Sequence, residues 1–158
     1  MPQAIQKPAN QVIAAGDPLR VEMEIGANAT PAKMLPGRVV IFDDVDQTVK
    51  EAGAKADGEV AILDVALDKL ESDHYAVGEQ VMIILGECIA KLTLLASENV
   101  ARGDPLVTAA DGKVAKQAVG ALGAQGKVIG YAWEASNVTV DAEILVHWQP
   151  SAEPAAAS

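Results

Sequence analysis

The sequence predicts an all-β protein, a small β-barrel or sandwich built from two related β-units with extended termini. Three observations predict this fold. Short runs of strand length fill the chain, turns rich in Gly and Pro separate them, and similar stretches recur in the two halves. Half of the 158 residues are apolar but only 3% are aromatic, so the core must consist mainly of Val, Ile, Leu and Ala.

The individual strands are predicted from two kinds of pattern. Residues 19–25 alternate apolar and polar side chains, as in a strand with one buried face. The remaining predicted strands are apolar, largely β-branched runs: 38–42, 59–65, 80–85, 89–94, 105–108, 127–133 and 142–148. A helix could form only at 64–71 or at 110–124, and four glycines between 112 and 126 count against the second segment.

An internal repeat relates the two halves of the chain. Gly16-Asp17-Pro18-Leu19 recurs unchanged as Gly103-Asp104-Pro105-Leu106. A longer echo matches three segments of the first half with three of the second: 37–41 with 103–107, 46–49 with 111–114, and 58–62 with 126–130. The repeat predicts two copies of one β-unit, and chance similarity among turns rich in Gly and Val is the alternative.

The two Gly-Asp-Pro segments are predicted to be turns that lead into strands. In Gly16, Asp17, Pro18 and in Gly103, Asp104, Pro105, the Gly permits a positive φ and the Asp can cap the turn. The Pro fixes φ at the start of the strand. Arg102 completes an Arg-Gly-Asp tripeptide of the kind that cell-adhesion receptors bind, but the first copy lacks the Arg, which favours a structural role.

These patterns divide the chain into four parts. We predict an extended arm at residues 1–10, a first β-unit at 11–98, a second β-unit at 99–149 and a disordered tail at 150–158. The arm carries two prolines and no periodicity, and the tail consists mainly of Ala, Ser and Pro.

Composition and motifs argue against catalysis and against several kinds of partner. The net charge of −10 without a basic cluster predicts no binding to nucleic acid, and the apolar runs are too short to span a membrane. His74 and His147 lie in no catalytic pattern, and Cys88 lies in an apolar run that predicts a buried side chain. The acidic residues at 43–46 lack the Gly and Glu of a calcium loop. The sequence therefore predicts no enzyme, no cofactor and no metal site.

Residues 101–114, together with 126–135, resemble the capsid cement, or head decoration, proteins of tailed viruses. Members of that family have a Gly-Asp-Pro or Gly-Asp-Ala turn, a short strand, Asp-Gly-Lys-Val, then a G-x-V-x-G-x-A-x-E-A segment and a last strand. Ile144-Leu145-Val146 supplies that last strand here. The resemblance covers residues 101–148, and residues 17–98 fit the family less well, which leaves the oligomeric state and the docking surface open.

The resemblance implies a structural protein that binds the outer surface of an assembled icosahedral head and stabilises it. It implies the major capsid protein as partner, self-association on the capsid as a dimer or trimer, and no enzyme activity. The start of the chain has no apolar segment typical of a signal peptide, so we expect synthesis in the host cytoplasm.

The arm is the segment we expect to touch the capsid. Ile5, Gln6, Lys7 and Pro8 have no evident partner within the chain, and an extended arm can pair with a neighbour's strand edge. Two alternatives stay open: another virion structural β-protein of the tail or of head completion, and a small β-barrel domain that binds a ligand.

Overall fold

The computed structural model describes residues 5–56, 58–66, 68–118 and 126–150. Nearly all regular structure in these ranges is β, which confirms the predicted fold class. The strands are β1 (Ile13–Ala15), β2 (Arg20–Ile25), β3 (Val39–Phe42), β4 (Thr48–Glu51), β5 (Val60–Leu63), β6 (Gln80–Ile84), β7 (Cys88–Leu94), β8 (Asn99–Val100), β9 (Pro105–Thr108), β10 (Val114–Lys116), β11 (Gly130–Ala132), β12 (Ser136–Asn137) and β13 (Ala142–Trp148). The helical structure within the same ranges consists of single 3-10 turns at Pro31–Lys33 and Ala110–Gly112.

The strands close into two five-stranded barrels. In the first barrel the order is β2, β4, β3, β5, β6, and in the second it is β7, β10, β9, β11, β13. β1 adds to β7 outside the second barrel, and β8 pairs with β12 in a separate ribbon. Closure pairs the strands on both sides, which removes the free edges that an open sheet would expose.

The two barrels have the same topology. Each strand of the first barrel has a counterpart in the second: β2, β3, β4, β5 and β6 correspond in order to β7, β9, β10, β11 and β13. Each barrel also has one parallel pair at the corresponding place, β2 with β4 in the first and β7 with β10 in the second. Backbone hydrogen bonds match as well: the Gly37 N–H donates to the Leu63 carbonyl at 2.8 Å, and the Gly103 N–H donates to the Ala132 carbonyl at 2.7 Å. Two copies of one β-unit are therefore present.

The identical Gly-Asp-Pro-Leu segments do not occupy equivalent places in these two units. Residues 16–19 join β1 to β2, whereas residues 103–106 lead into β9, which corresponds to β3. The longer repeat aligns the correct strands, but its alignment is wrong by one residue at β5. The strand register makes Ile62 equivalent to Tyr131, whereas the repeat aligns Ile62 with Gly130. A shift of one residue in a strand exchanges its two faces.

Strand β7 belongs to the second barrel. The sequence places residues 88–94 within the first predicted unit, 11–98, yet β7 pairs with β13 along its whole length, from Cys88 opposite Trp148 to Leu94 opposite Ala142. The first barrel accordingly runs over 20–84 and the second over 88–148. This pairing joins strands far apart in the chain, and no local pattern reveals it.

The two barrels share a hydrophobic core. Val60 and Ile62 of β5 pack with the cluster that fills the second barrel, while Ala61 and Leu63 pack with the cluster inside the first. Both faces of β5 are therefore buried, which explains why its sequence is apolar throughout rather than alternating.

The turn between β9 and β10 fixes one barrel on the other. The Gly112 N–H donates to the Ala52 carbonyl at 2.9 Å, and Lys33 Nζ lies 2.7 Å from the Asp111 carboxylate. A Cβ atom at Gly112 would lie 2.6 Å from the Val39 carbonyl oxygen, so the backbones approach as closely as only glycine allows.

Candidate functional site

The N-terminal arm lies on the second barrel. Lys7 Nζ lies 2.9 Å from Glu134 Oε1, Lys91 Nζ donates to the Pro8 carbonyl at 2.6 Å, and the Lys91 N–H donates to the Val12 carbonyl. Ile5 and Pro8 are half-buried, and Gln6 and Lys7 are exposed. The sequence shows no partner for the arm within its own chain, whereas the structure supplies one from Lys7 onward. A capsid contact at Ile5–Pro8 stays a prediction.

Lys91 joins the arm to both barrels. Its side chain is buried, and Nζ lies 2.5 Å from Glu71 Oε2 and 3.1 Å from Glu143 Oε2. Burial lowers the pKa of Lys91, but the hydrogen bonds and charges of the two glutamates more than offset it, so the pKa lies above its ordinary value. The Glu71 N–H also donates to Asn10 Oδ1 at 2.7 Å. The sequence signal for this cluster is a Lys inside a largely apolar strand.

The two predicted turns differ in detail. Gly16 and Gly103 both have positive φ, 101° and 92°, and Pro105 is the first residue of β9. The Asp104 carboxylate accepts a hydrogen bond from the Ala101 N–H at 2.8 Å, so it caps its turn. Asp17 is exposed and accepts no such bond within the described residues, and Pro18 is buried two residues before β2. Only the second segment therefore has the predicted Asp cap.

The Arg-Gly-Asp tripeptide is not presented as an exposed acidic loop. Besides its bond from Ala101, the Asp104 carboxylate lies 3.1 Å from Lys116 Nζ. These hydrogen bonds, the one from the Ala101 backbone first, lower the pKa of Asp104. The Arg102 guanidinium lies over the Trp133 ring, 5.0 Å from its centroid. The two charged groups of the tripeptide are thus engaged separately by this chain.

Arg102 belongs to an aromatic face, which we define as Arg102, Tyr131, Trp133 and His147. The Tyr131 side chain is 41% exposed, and the rings of Trp133 and His147 meet edge to face with centroids 6.3 Å apart. His147 Nε2 lies 2.7 Å from Glu87 Oε1. His147 is half-buried by these neighbours. Strand register brings the face together, so the sequence does not show it.

A groove lies between the arm and the first barrel. Its volume is about 850 Å³, and its lining consists of residues 10–13, Arg20, Glu22, residues 64–66, Lys69 and residues 80–82. Arg20 Nε donates to Asp64 Oδ2 at 3.0 Å, so these two lining charges neutralise each other. Met82 supplies an exposed apolar side chain on the wall.

Cys88 and Asp43 are two further chemical groups, and each is buried or engaged. Cys88 is a buried free thiol, as predicted, and burial raises its pKa to about 11, which makes it a poor nucleophile. The Asp43 carboxylate accepts hydrogen bonds from the backbone and side chain of Asn28, which lower its pKa. Within the described residues, no three His, Cys, Asp or Glu side chains form a group that could hold a metal ion. The Gly-rich segment 120–126 lies mostly outside the described ranges.

No helix in the described part of the chain is both long and apolar enough to span a bilayer. No family model matches the sequence, and no curated protein does. Among solved structures, the chain is similar to the N base of the head fiber gp8.5 of bacteriophage phi29, with a TM-score of 0.51 and 15% identity. The similarity covers 83% of this chain and 95% of that chain. It shows that the two chains share a fold.

Proposed function

We propose that this chain is a structural protein of a phage virion, and specifically a decoration protein that binds the outer surface of an assembled icosahedral head and stabilises it. The observation that carries the proposal is the fold, shared over 83% of the chain with a segment of a phage head fiber. The resemblance of residues 101–148 to cement proteins supports the same function independently of that similarity.

The arm is the element best suited to bind the capsid. Within the described chain, residues 5–10 contact the barrels at three places: Lys7 with Glu134, the Pro8 carbonyl with the buried Lys91, and Asn10 with Glu71. An exposed ion pair such as that of Lys7 contributes about 0–1 kcal/mol, so Ile5–Lys7 can leave the barrel at small cost. Release of Pro8 costs more, because it breaks the hydrogen bond to the buried Lys91 ammonium. The free arm can then pair with a strand edge of the major capsid protein.

The rest of the proposal concerns setting and partners. We propose that the protein is made in the host cytoplasm, acts without a cofactor, and binds neither nucleic acid nor membrane in its role on the head. Copies self-associate on the capsid, because many copies on one shell make even weak contacts between neighbours effective.

Deletion of residues 2–10 tests the proposal. We expect the truncated protein to fold, since β1 and both barrels remain, but to occupy capsids that lack the decoration protein at a lower level. Capsids carrying it should also resist heat less well than capsids carrying the full chain. Occupancy measured by quantitative gel and by cryo-electron microscopy, together with capsid melting, provides the readout.

Deletion of residues 151–158 is the matched control, and it should leave occupancy unchanged. If the full-length protein does not bind capsids, the decoration role is wrong. If the arm deletion binds and protects as well as the full chain, the barrels dock and the arm does not.

A second candidate function is ligand binding, which the groove of about 850 Å³ favours because this volume suits a small molecule. Arg20 and Asp64 neutralise each other, and the lining offers such a ligand further polar groups at Asn10, Gln11, Glu22, Lys69 and Gln80. A Met82→Arg substitution would fill the groove. If that variant lost capsid occupancy although its arm is intact, the groove and not the arm would be the capsid contact.

A further inference from the structure

One face of the first barrel is covered by the second barrel, and its counterpart on the second barrel is not. The covered residues Val39, Ile62 and Ile84 lie side by side on β3, β5 and β6, and each is 0% exposed. By register, they correspond to Pro105, Tyr131 and His147 of β9, β11 and β13. Tyr131 is 41% exposed and the other two are half-buried, so no described element covers this part of the aromatic face fully.

The covering element also has an exposed counterpart. The second barrel contacts the first through the β9–β10 turn, where Thr108 and Gly112 are buried. The corresponding β3–β4 turn of the first barrel, residues 42–47, is here named the hairpin end. Phe42 is 38% exposed and Val45 is 66% exposed on it. The aromatic face and the hairpin end are thus partly exposed counterparts of residues that the internal barrel contact buries.

We propose that the aromatic face binds the hairpin end of a second copy of this chain, head to tail. The inference rests on the proposed function for its setting, a particle surface crowded with copies. Arg102 forms no ion pair within the described part of the chain, although the net charge is −10. The hairpin end presents exposed carboxylates at Asp44 and Asp46 beside its apolar side chains. Charge and apolar surface thus complement each other across the contact.

The contact between copies is weaker than the contact inside the chain. Gly112 allows the β9–β10 turn to approach the Val39 backbone, and its counterpart in the hairpin end is Gln47, whose side chain prevents an equal approach. A looser contact buries less surface and holds only where copies are concentrated. Because the two surfaces in contact are different, the copies form either an open chain or a closed ring.

A charge-swap mixture tests the proposal with purified protein and no capsids. Arg102→Glu alone places an acidic side chain opposite Asp46, and Asp46→Lys alone places a basic side chain opposite Arg102. Each variant should self-associate about tenfold more weakly than the wild type in sedimentation equilibrium up to millimolar protein. An equimolar mixture should regain association, because each variant's face then meets the other's hairpin end with opposite charge.

Apolar variants provide the second arm of the test. Tyr131→Ser and Val45→Ser should each weaken association, whereas Val140→Ser, at an equally exposed Val outside both surfaces, should not. A wild type that stays monomeric at millimolar concentration overturns the proposal, and so does a mixture that associates no better than its components. Neither result affects the proposed capsid function, which the occupancy of capsids tests separately.

Discussion

At the scale of single residues, Lys91 connects the arm to both barrels. It is buried on β7 and contacts Glu71 from the first barrel, Glu143 from β13 and the Pro8 carbonyl of the arm. A buried ammonium group is stable only when its hydrogen bonds are satisfied, and here three oxygens satisfy them. The position of the arm therefore depends on this side chain together with the contacts of Lys7 and Asn10.

We predict that Lys91→Met destabilises the protein and loosens the arm. Methionine keeps most of the side-chain volume but leaves Glu71 and Glu143 without their partner, which should cost about 1–3 kcal/mol of unfolding free energy. Urea denaturation gives this value, and the rate of limited proteolysis before residue 10 shows whether the arm has become looser. Lys50→Met is the control, because the partly exposed Lys50 lies 3.9 Å from Asp43, whose carboxylate keeps its hydrogen bonds from Asn28, so the loss of Lys50 should cost less than about 0.5 kcal/mol. Equal losses in the two variants would contradict the proposed role of Lys91.

At the scale of elements, the β9–β10 turn determines how the barrels meet. Gly112 has a φ of 71° and no room for a Cβ atom, and Asp111 of the same turn contacts Lys33 and Arg38 of the first barrel. Gly103 serves as a control glycine, because it has a φ of 92° but open space around its Cβ position.

We predict that Gly112→Ala destabilises the protein by about 3 kcal/mol and Gly103→Ala by about 1 kcal/mol. Both variants carry the cost of a positive φ, and only the first adds a collision with the Val39 backbone. The difference between the two midpoints of chemical denaturation isolates the contact between the barrels. If the two variants are equally stable, the close approach at Gly112 contributes nothing.

At the scale of the whole molecule, acidic side chains form ion pairs with basic side chains at several sites. The Lys33 hydrogen bond lowers the pKa of Asp111, and the Lys113 hydrogen bond lowers the pKa of Asp141. A carboxylate whose folded pKa lies below its unfolded value of about 3.9 stabilises the fold above that pH. The stabilisation is lost as pH falls through the folded pKa.

We therefore predict that stability is constant from about pH 8 to pH 6 and falls below about pH 4. Thermal unfolding, monitored by circular dichroism at each pH, measures this stability. Asp111→Asn should lower stability at neutral pH and reduce the loss on acidification, because the variant has one fewer group to protonate. A variant with the same loss between neutral and acid pH as the wild type would show that Asp111 does not contribute.

The sequence by itself determined the all-β class, most strand positions and the existence of two related units, because alternation, β-branched runs and Gly or Pro turns are local properties. It also located Cys88 correctly in the interior. Only the tertiary structure decided that β7 closes the second barrel, that residues 16–19 and 103–106 are not equivalent, and that the arm has a partner on Lys91. The reason is physical: strand pairing and register join residues far apart in the chain, and one residue of slip turns a buried face into an exposed one.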